Sequence, residues 1–377
     1  MIEKGLEDVI AAETRLSDID GRLGKLWYVG YDIHDLAEQS TFEEVVFLLQ
    51  HQRLPTAEEL EELTEQLVTD RDMTPFGAGL MATLAVQTSP MSMLRTSISA
   101  ASAYDPDGWD QSPEANLRKA IRLIARVPSR IAAYHRLRTD RDIVAPDPKL
   151  PHAANFLAML LGEEPDQEAA RAFDVCLILH ADHTMNASTF AARVVASTLA
   201  DIHSAVVAAI AALKGPLHGG ANEQVIKMLE EIGDPDRAEG DVARRLERKE
   251  RIMGFGHRVY KTEDPRATVL RRLAKDLGER AGDARWYEIS MRIEKAVMDA
   301  KGLYPNVDFY AASVYRSLGI PTDLFTTVFA ASRIAGWTAH IREQYADNRL
   351  IRPESDYIGP RDQVYVPIEE RAVPVQA

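Results

Sequence analysis

GFGHRVYKTEDPR, residues 254–266, is the stretch from which the rest of the chain can be read. It sets one histidine, His257, among small residues and follows it with Arg258, Lys261 and Arg266. Upstream, residues 242–252 (VARRLERKERI) are charged and helix-forming, and Pro265 suits the first turn of a following helix. His257 is therefore expected on a loop between two helices. Gly254 and Gly256 permit backbone angles closed to other residues and would leave amides uncovered for a ligand. The cations make that ligand an anion, unless the segment is only a surface turn with a solvated basic face.

Working outward, residues 8–33 hold an Asp20-Gly21 pair between β-branched and aromatic flanks, which predicts a short N-terminal hairpin. The remainder reads as helix. Thr41, with Glu44 three residues on, predicts a start that runs to about Gln52. Residues 56–70 predict an acidic helix with Leu60, Leu63 and Leu67 inward. Residues 76–89 and 91–104 are rich in small side chains and suit a close helix crossing or a subunit contact. Residues 113–133 resume helix, with Arg118, Arg122, Arg126 and Arg130 along a face that reads as solvated. Further helices are expected at 152–161, over one long span 171–197, and at 200–213, 223–232, 241–253, 268–279, 286–300, 309–318 and 324–345. The tail after Arg352, with Pro353, Pro360, Pro367 and Pro374, reads as an extended arm of the kind laid over a neighbour. Almost nothing alternates with period two beyond the N-terminus, so the fold class is mainly α.

The totals narrow the function. The 377 residues suffice for two domains, or one large domain with an insertion. A net charge of −14 argues against general affinity for nucleic acid or an anionic membrane, though arginines in one cleft can reverse the local field. The single cysteine, Cys176, can form no intrachain disulfide and sits in an apolar run, which suits core packing and a reducing compartment. The first ten residues lack the apolar centre of a signal peptide, and the longest apolar run, 205–213, is half a membrane span. A cytoplasmic protein is expected.

Several residues could carry chemistry. His180 and His183 in LILHADHTMNAS would share a face if helical, as metal ligands or as packing and substrate contacts; no zinc-protease pattern accompanies them. His218, within GPLHGGAN, lies near a helix N-terminus where the dipole disfavours imidazolium, so a neutral ring there could donate to a developing oxyanion; the plain alternative is a turn with Asn222 as cap. Asp308, taken alone, reads as an N-cap. Arg333 interrupts an apolar helix and needs an anionic partner, and Arg352 could serve likewise or be exposed. Together they form a kit for carboxylate chemistry.

HADHTMNAST (180–189), GPLHGGANE (215–223), GFGHRVYKTEDPRA (254–267), NVDFYAA (306–312), SRIAGWTAH (332–340) and RLIRP (349–353) occur in the order of the citrate synthase family, which the chain resembles over nearly its whole length. The resemblance implies a mainly helical homodimer. Each subunit would have a large domain (residues 1–220 and 325–377) and a small one (221–324) closing over the site. It implies condensation of acetyl-CoA with oxaloacetate, no cofactor and no metal. By motif, Asp308 removes a proton from the acetyl methyl, His218 donates to the thioester oxygen and His257 polarises the oxaloacetate carbonyl. His183, Arg266, Arg333 and Arg352 match oxaloacetate ligands, Arg352 from the partner subunit. Lys261 matches a contact to CoA phosphates, and the backbone of Gly254, Phe255 and Gly256 would face the adenine. Thr184 departs from the Glu or Gly that related sequences often carry. The chain also lacks the N-terminal extension of larger bacterial forms, which favours a simple dimer over a hexamer. Rival readings are 2-methylcitrate synthase, acting on propionyl-CoA; an inactive CoA-binding regulator; and a metal enzyme using His180, His183 and His218.

Overall fold

The computed structural model describes residues 4–6 and 9–371. The start of the segment read for a signal peptide (residues 1–3, 7 and 8) and the end of the tail, including Pro374, lie outside the described residues.

The expected hairpin gains a third strand. β1 (Ser17–Asp20) pairs antiparallel with β2 (Lys25–Tyr28), Ser17 opposite Tyr28 and Asp20 opposite Lys25, and β3 (Tyr31–Asp32) adds to β2. Asp20 Oδ1 accepts the amides of Arg22 and Leu23 and so fixes the β1–β2 turn.

Sixteen α-helices follow among the described residues: α1 (Ile33–Gln39), α2 (Phe42–His51), α3 (Ala57–Asp70), α4 (Pro75–Ala85), α5 (Pro90–Ser102), α6 (Pro113–Arg138), α7 (His152–Leu161), α8 (Gln167–His180), α9 (Ala187–Ala196), α10 (Ile202–Leu213), α11 (Ala221–Ile232), α12 (Ala238–Glu247), α13 (Pro265–Arg280), α14 (Arg285–Lys301), α15 (Val307–Ser317) and α16 (Phe325–Ala346). Local chemistry sets most of their starts. Thr41 and Glu44 form the expected capping box on α2, Thr56 and Glu59 another on α3, and proline opens α4, α5, α6 and α13.

α16 is the spine. It is buried around its whole circumference from Phe325 to Ile341, and α2, α5, α6, α8, α9, α10 and α11 pack on it. α11–α15 pack against one another, α13 and α11 on α15 and α12 on α14. Among the described residues no helix is long and apolar enough to cross a membrane.

Three expectations are corrected. The span 171–197 is two helices, because residues 181–186 leave the helical path to meet β1, β2 and α16. The charged helix ends at Glu247 rather than Met253. The arginines of α6 are not a solvated face: Arg122 binds Asp105 and Asp107, Arg126 binds Asp70, and Arg130 is buried. After α16 the described chain holds no further α-helix, and Ile358, Val364 and Tyr365 on it are exposed.

Candidate active site

His257 lies on the loop between α12 and α13, as expected. Gly254 and Gly256 adopt φ of 83° and 78°, and a Cβ at Gly254 would fall 2.8 Å from both Phe309 and Val225 side-chain carbons. The amides are less free than expected. Gly256 N–H donates to the Tyr304 carbonyl (2.9 Å), and the Gly254 carbonyl accepts from Asn306 N–H (2.8 Å). The Phe255 ring packs on Phe309 with centroids 4.6 Å apart. This bridge ties the loop to the start of α15. His257 Nδ1 accepts from the amides of Val259 (3.0 Å) and Tyr260 (3.3 Å), so the neutral ring carries its proton on Nε2. Burial, then Arg266, depresses its pKa to about 4, so at pH 7 it is a neutral donor.

Arg266 and Asp264 form a fully buried fork at the start of α13, with Nε to Oδ1 at 2.9 Å and Nη2 to Oδ2 at 2.7 Å. Asp264 also accepts the Val307 amide (3.2 Å), which joins the first turns of α13 and α15. Beside it opens a cleft of about 320 Å3, lined by Gly256, His257, Lys261 and Tyr304 among others. Lys261 is exposed there, its ammonium on the Arg258 carbonyl (3.0 Å).

His183 sits on the non-helical 181–186 segment. Asp182 holds that segment: its Oδ2 takes the Ser17 hydroxyl and His340 Nε2 (3.2 Å), and its amide donates to the Tyr28 hydroxyl (3.1 Å). Thr184 adopts φ 48°. The His183 ring stands edge-on to His257 at 5.2 Å, and its Nε2 lies 3.4 Å from the Tyr260 hydroxyl. Burial, Arg266 and His257 hold its pKa well below the ordinary value. Arg333 reaches across from α16, Nε donating to the His180 carbonyl at 2.6 Å. His180 turns away, Nδ1 on the Cys176 carbonyl (2.7 Å), so the two histidines share no helical face. Among the described residues no three His, Cys, Asp or Glu side chains are grouped as metal ligands.

His218 lies on the turn before α11, whose cap is Gly220; Asn222 only accepts the neighbouring amide of Glu223. His218 Nε2 is 2.9 Å from Ser188 Oγ. Ser188 Oγ accepts from Trp337 Nε1 (3.2 Å) and donates to Asn186 Oδ1 (2.6 Å), which also takes the amides of Ser188 and Thr189. The hydroxyl thus ties His218 to Trp337 and to the cap of α9. Burial, then Arg333, lowers His218 to about 4.

Asp308 is not the cap of α15. Asn306 is, accepting the Asp308 amide at 3.1 Å. The Asp308 carboxylate has no hydrogen-bond partner among the described residues. Burial raises its pKa to about 6; Arg266 and Arg333 pull it back and Asp264 adds to the rise. Arg266 thus acts on His183, His257 and Asp308, and Arg333 on His183, His218 and Asp308. Six of the seven expected catalytic and oxaloacetate-site residues form one electrostatic neighbourhood. Arg352 stands apart on the exposed tail. Sequence reading missed Asp264, Ser188 and Tyr260. An Asp before Pro265 was legible as a helix cap, whereas nothing local marks the other two.

The arrangement offers two neutral histidines, a carboxylate poised near neutrality and buried guanidiniums. The family model described as citrate synthase, C-terminal domain, matches residues 5–354. The chain is 53% identical to citrate synthase 2 of Bacillus subtilis and 51% to the citrate synthase of Haloferax volcanii, in each case over 98% of this chain and 99% of the relative. It is 40% identical to 2-methylcitrate synthase 1 of Corynebacterium glutamicum, over 98% of both chains. The fold superposes with a TM-score of 0.93 on citrate synthase from the thermophilic archaeon Thermoplasma acidophilum, solved as a ternary complex with carboxymethyl coenzyme A and oxaloacetate; identity is 36%, over 98% of this chain and all of that one. With the family model, the relatives and the fold in agreement, the chain belongs to the citrate synthase family of condensing enzymes.

Proposed function

We propose that this chain condenses acetyl-CoA with oxaloacetate and water to give citrate and free CoA, the first step of the tricarboxylic acid cycle. The observation that carries this reading is the pairing of two neutral imidazoles, His257 with its proton on Nε2 and His218 against Ser188, with a carboxylate whose pKa is about 6. A methyl beside a thioester is a very weak acid. A carboxylate removes its proton only if a donor stabilises the thioester oxygen at the same moment. Asp308 is the base and His218 is that donor. The enol attacks the keto carbon of oxaloacetate, whose oxygen is polarised by His257 Nε2–H, and water then releases CoA from the citryl thioester.

Arg266, Arg333 and His183 hold the oxaloacetate carboxylates, with Arg352 supplied by a second copy of the chain in a homodimer. Lys261 takes the CoA phosphates, and residues 254–256 lie along the adenine. Residues 221–324 act as the small domain, closing on residues 1–220 and 325–377 and excluding water from the enol. The chemistry as drawn uses side chains alone, with the CoA thioester as substrate rather than cofactor, and it takes place in the cytoplasm.

Higher identity to the citrate synthases than to the 2-methylcitrate synthase favours acetyl-CoA over propionyl-CoA. One methylene in an acyl pocket is worth about 1–3 kcal/mol, so acetyl-CoA should be preferred by roughly tenfold or more in kcat/KM. Initial rates with both thioesters at saturating oxaloacetate test this, and a propionyl-CoA preference would overturn the assignment.

A further inference from the structure

The tip of the N-terminal hairpin touches the reaction loop in a way the mechanism above does not use. The Gly21 carbonyl accepts the Lys261 amide at 2.8 Å. A Cβ at Gly21 would lie 2.1 Å from the Val259 carbonyl oxygen and 2.7 Å from its carbon. A Cβ at Gly24 would lie 2.9 Å from both the Glu263 carbonyl oxygen and Thr262 Cγ2. Backbone is therefore pressed on backbone with no room for a methyl group. Gly21 is not among the residues at positive φ, so its missing side chain serves this approach rather than the turn itself.

The gripped peptides are the ones that orient the site histidines. Val259 N–H donates to His257 Nδ1, the contact that fixes the proton on Nε2. Tyr260, between Val259 and Lys261, packs its ring 4.7 Å from that of His257 and sets its hydroxyl 3.4 Å from His183 Nε2. Tyr260 is buried, so a displaced backbone at 259–261 would move a ring wedged between both histidines.

We propose that the turn at residues 20–24 is a positioning element for the reaction, clamping residues 259–263 so that His257 keeps its tautomer and its spacing from His183. The inference rests on the function proposed above, in which His257 polarises the oxaloacetate carbonyl.

The test compares the full-length wild type with Gly21→Ala, Gly24→Ala and Leu23→Ala, the last in the same turn with a 70% exposed side chain. Three quantities are read: kcat, Tm by calorimetry, and the infrared stretch of the keto carbonyl of bound oxaloacetate, which reports polarisation directly. In Gly21→Ala, kcat should fall at least tenfold and the carbonyl band should move back towards its position in free oxaloacetate, with Tm altered by a few degrees at most. Gly24→Ala should move kcat and the band in the same direction, and Leu23→Ala should match the wild type. A Gly21→Ala protein with wild-type kcat and band position overturns the clamp. So does one whose activity falls only in step with Tm while its folded fraction keeps the wild-type band. A wild type that makes no citrate and shifts no carbonyl band would sink the functional reading itself, and the clamp with it.

Discussion

Replacing Asp308 by asparagine should make the protein more stable and nearly inactive, both for one reason. Its carboxyl titrates at about 6 instead of the ordinary 3.8, mainly because burial penalises the charge. At about 1.4 kcal/mol for each pH unit, and allowing for the partly open side of the residue, ionised Asp308 costs the fold about 2–3 kcal/mol at neutral pH. The folded-state value is raised, so this cost is absent below pH 3.8, develops between 3.8 and 6, and is complete above 6. The asparagine side chain has nearly the same shape and no charge. At pH 7.5 the Asp308→Asn variant should melt roughly 3–4 °C above the wild type, given the unfolding entropy expected for a chain of this size. That margin should shrink towards zero near pH 4. Loss of the base should lower kcat by about 10^2 to 10^4, read as CoA thiol release. A variant that melts at or below the wild type at pH 7.5, or gains equally at both pH values, would refute the claim that Asp308 is held charged against its environment. Wild-type kcat would refute its role as base.

Other outcomes follow from the same geometry. kcat/KM should fall with unit slope below about pH 6 as Asp308 takes up a proton, while His218 and His257, at about 4, stay neutral through that window; a profile flat to pH 5 would count against this. Ser188→Ala should cost about tenfold or more in kcat, because the His218 ring loses the hydroxyl that holds its Nε2; unchanged kcat would refute a positioning role for Ser188. Arg333→Ala should raise KM for oxaloacetate by one to two orders of magnitude, about the worth of one charge-assisted hydrogen bond. Mixing Asp308→Ala and Arg352→Ala proteins should restore about a quarter of the active sites if the arm crosses to its neighbour, since half the dimers are mixed and each then holds one intact site; no recovery would place Arg352 in its own chain's site.

What the sequence made legible was local. Thr41 with Glu44, and Pro265 at a first turn, announce themselves because a cap needs only its neighbours. The break at residues 181–186 was hidden because its cause is distant: Asp182 is drawn off the helical path by Ser17, Tyr28 and His340, from the opposite ends of the chain. The arginines of α6 misled for a similar reason, since their carboxylates come from α3 and the loop before α6. At Asp308 the correct signal was one step away. Asn306 takes the cap, which frees the aspartate from any amide and leaves it desolvated.

The fork between Arg266 and Asp264 has a consequence beyond its own geometry. It spends one cation of the pocket on an internal anion. Around the reaction centre a single chain then sets two guanidiniums, Arg266 and Arg333, against three carboxylates, Asp182, Asp264 and Asp308. A dianionic keto acid arriving there meets few free cations, a shortage that the Arg352 proposed to come from a second copy would offset. On that footing the affinity for oxaloacetate becomes a readout of protein concentration: dilution that separates the subunits should weaken substrate capture even while each chain stays folded.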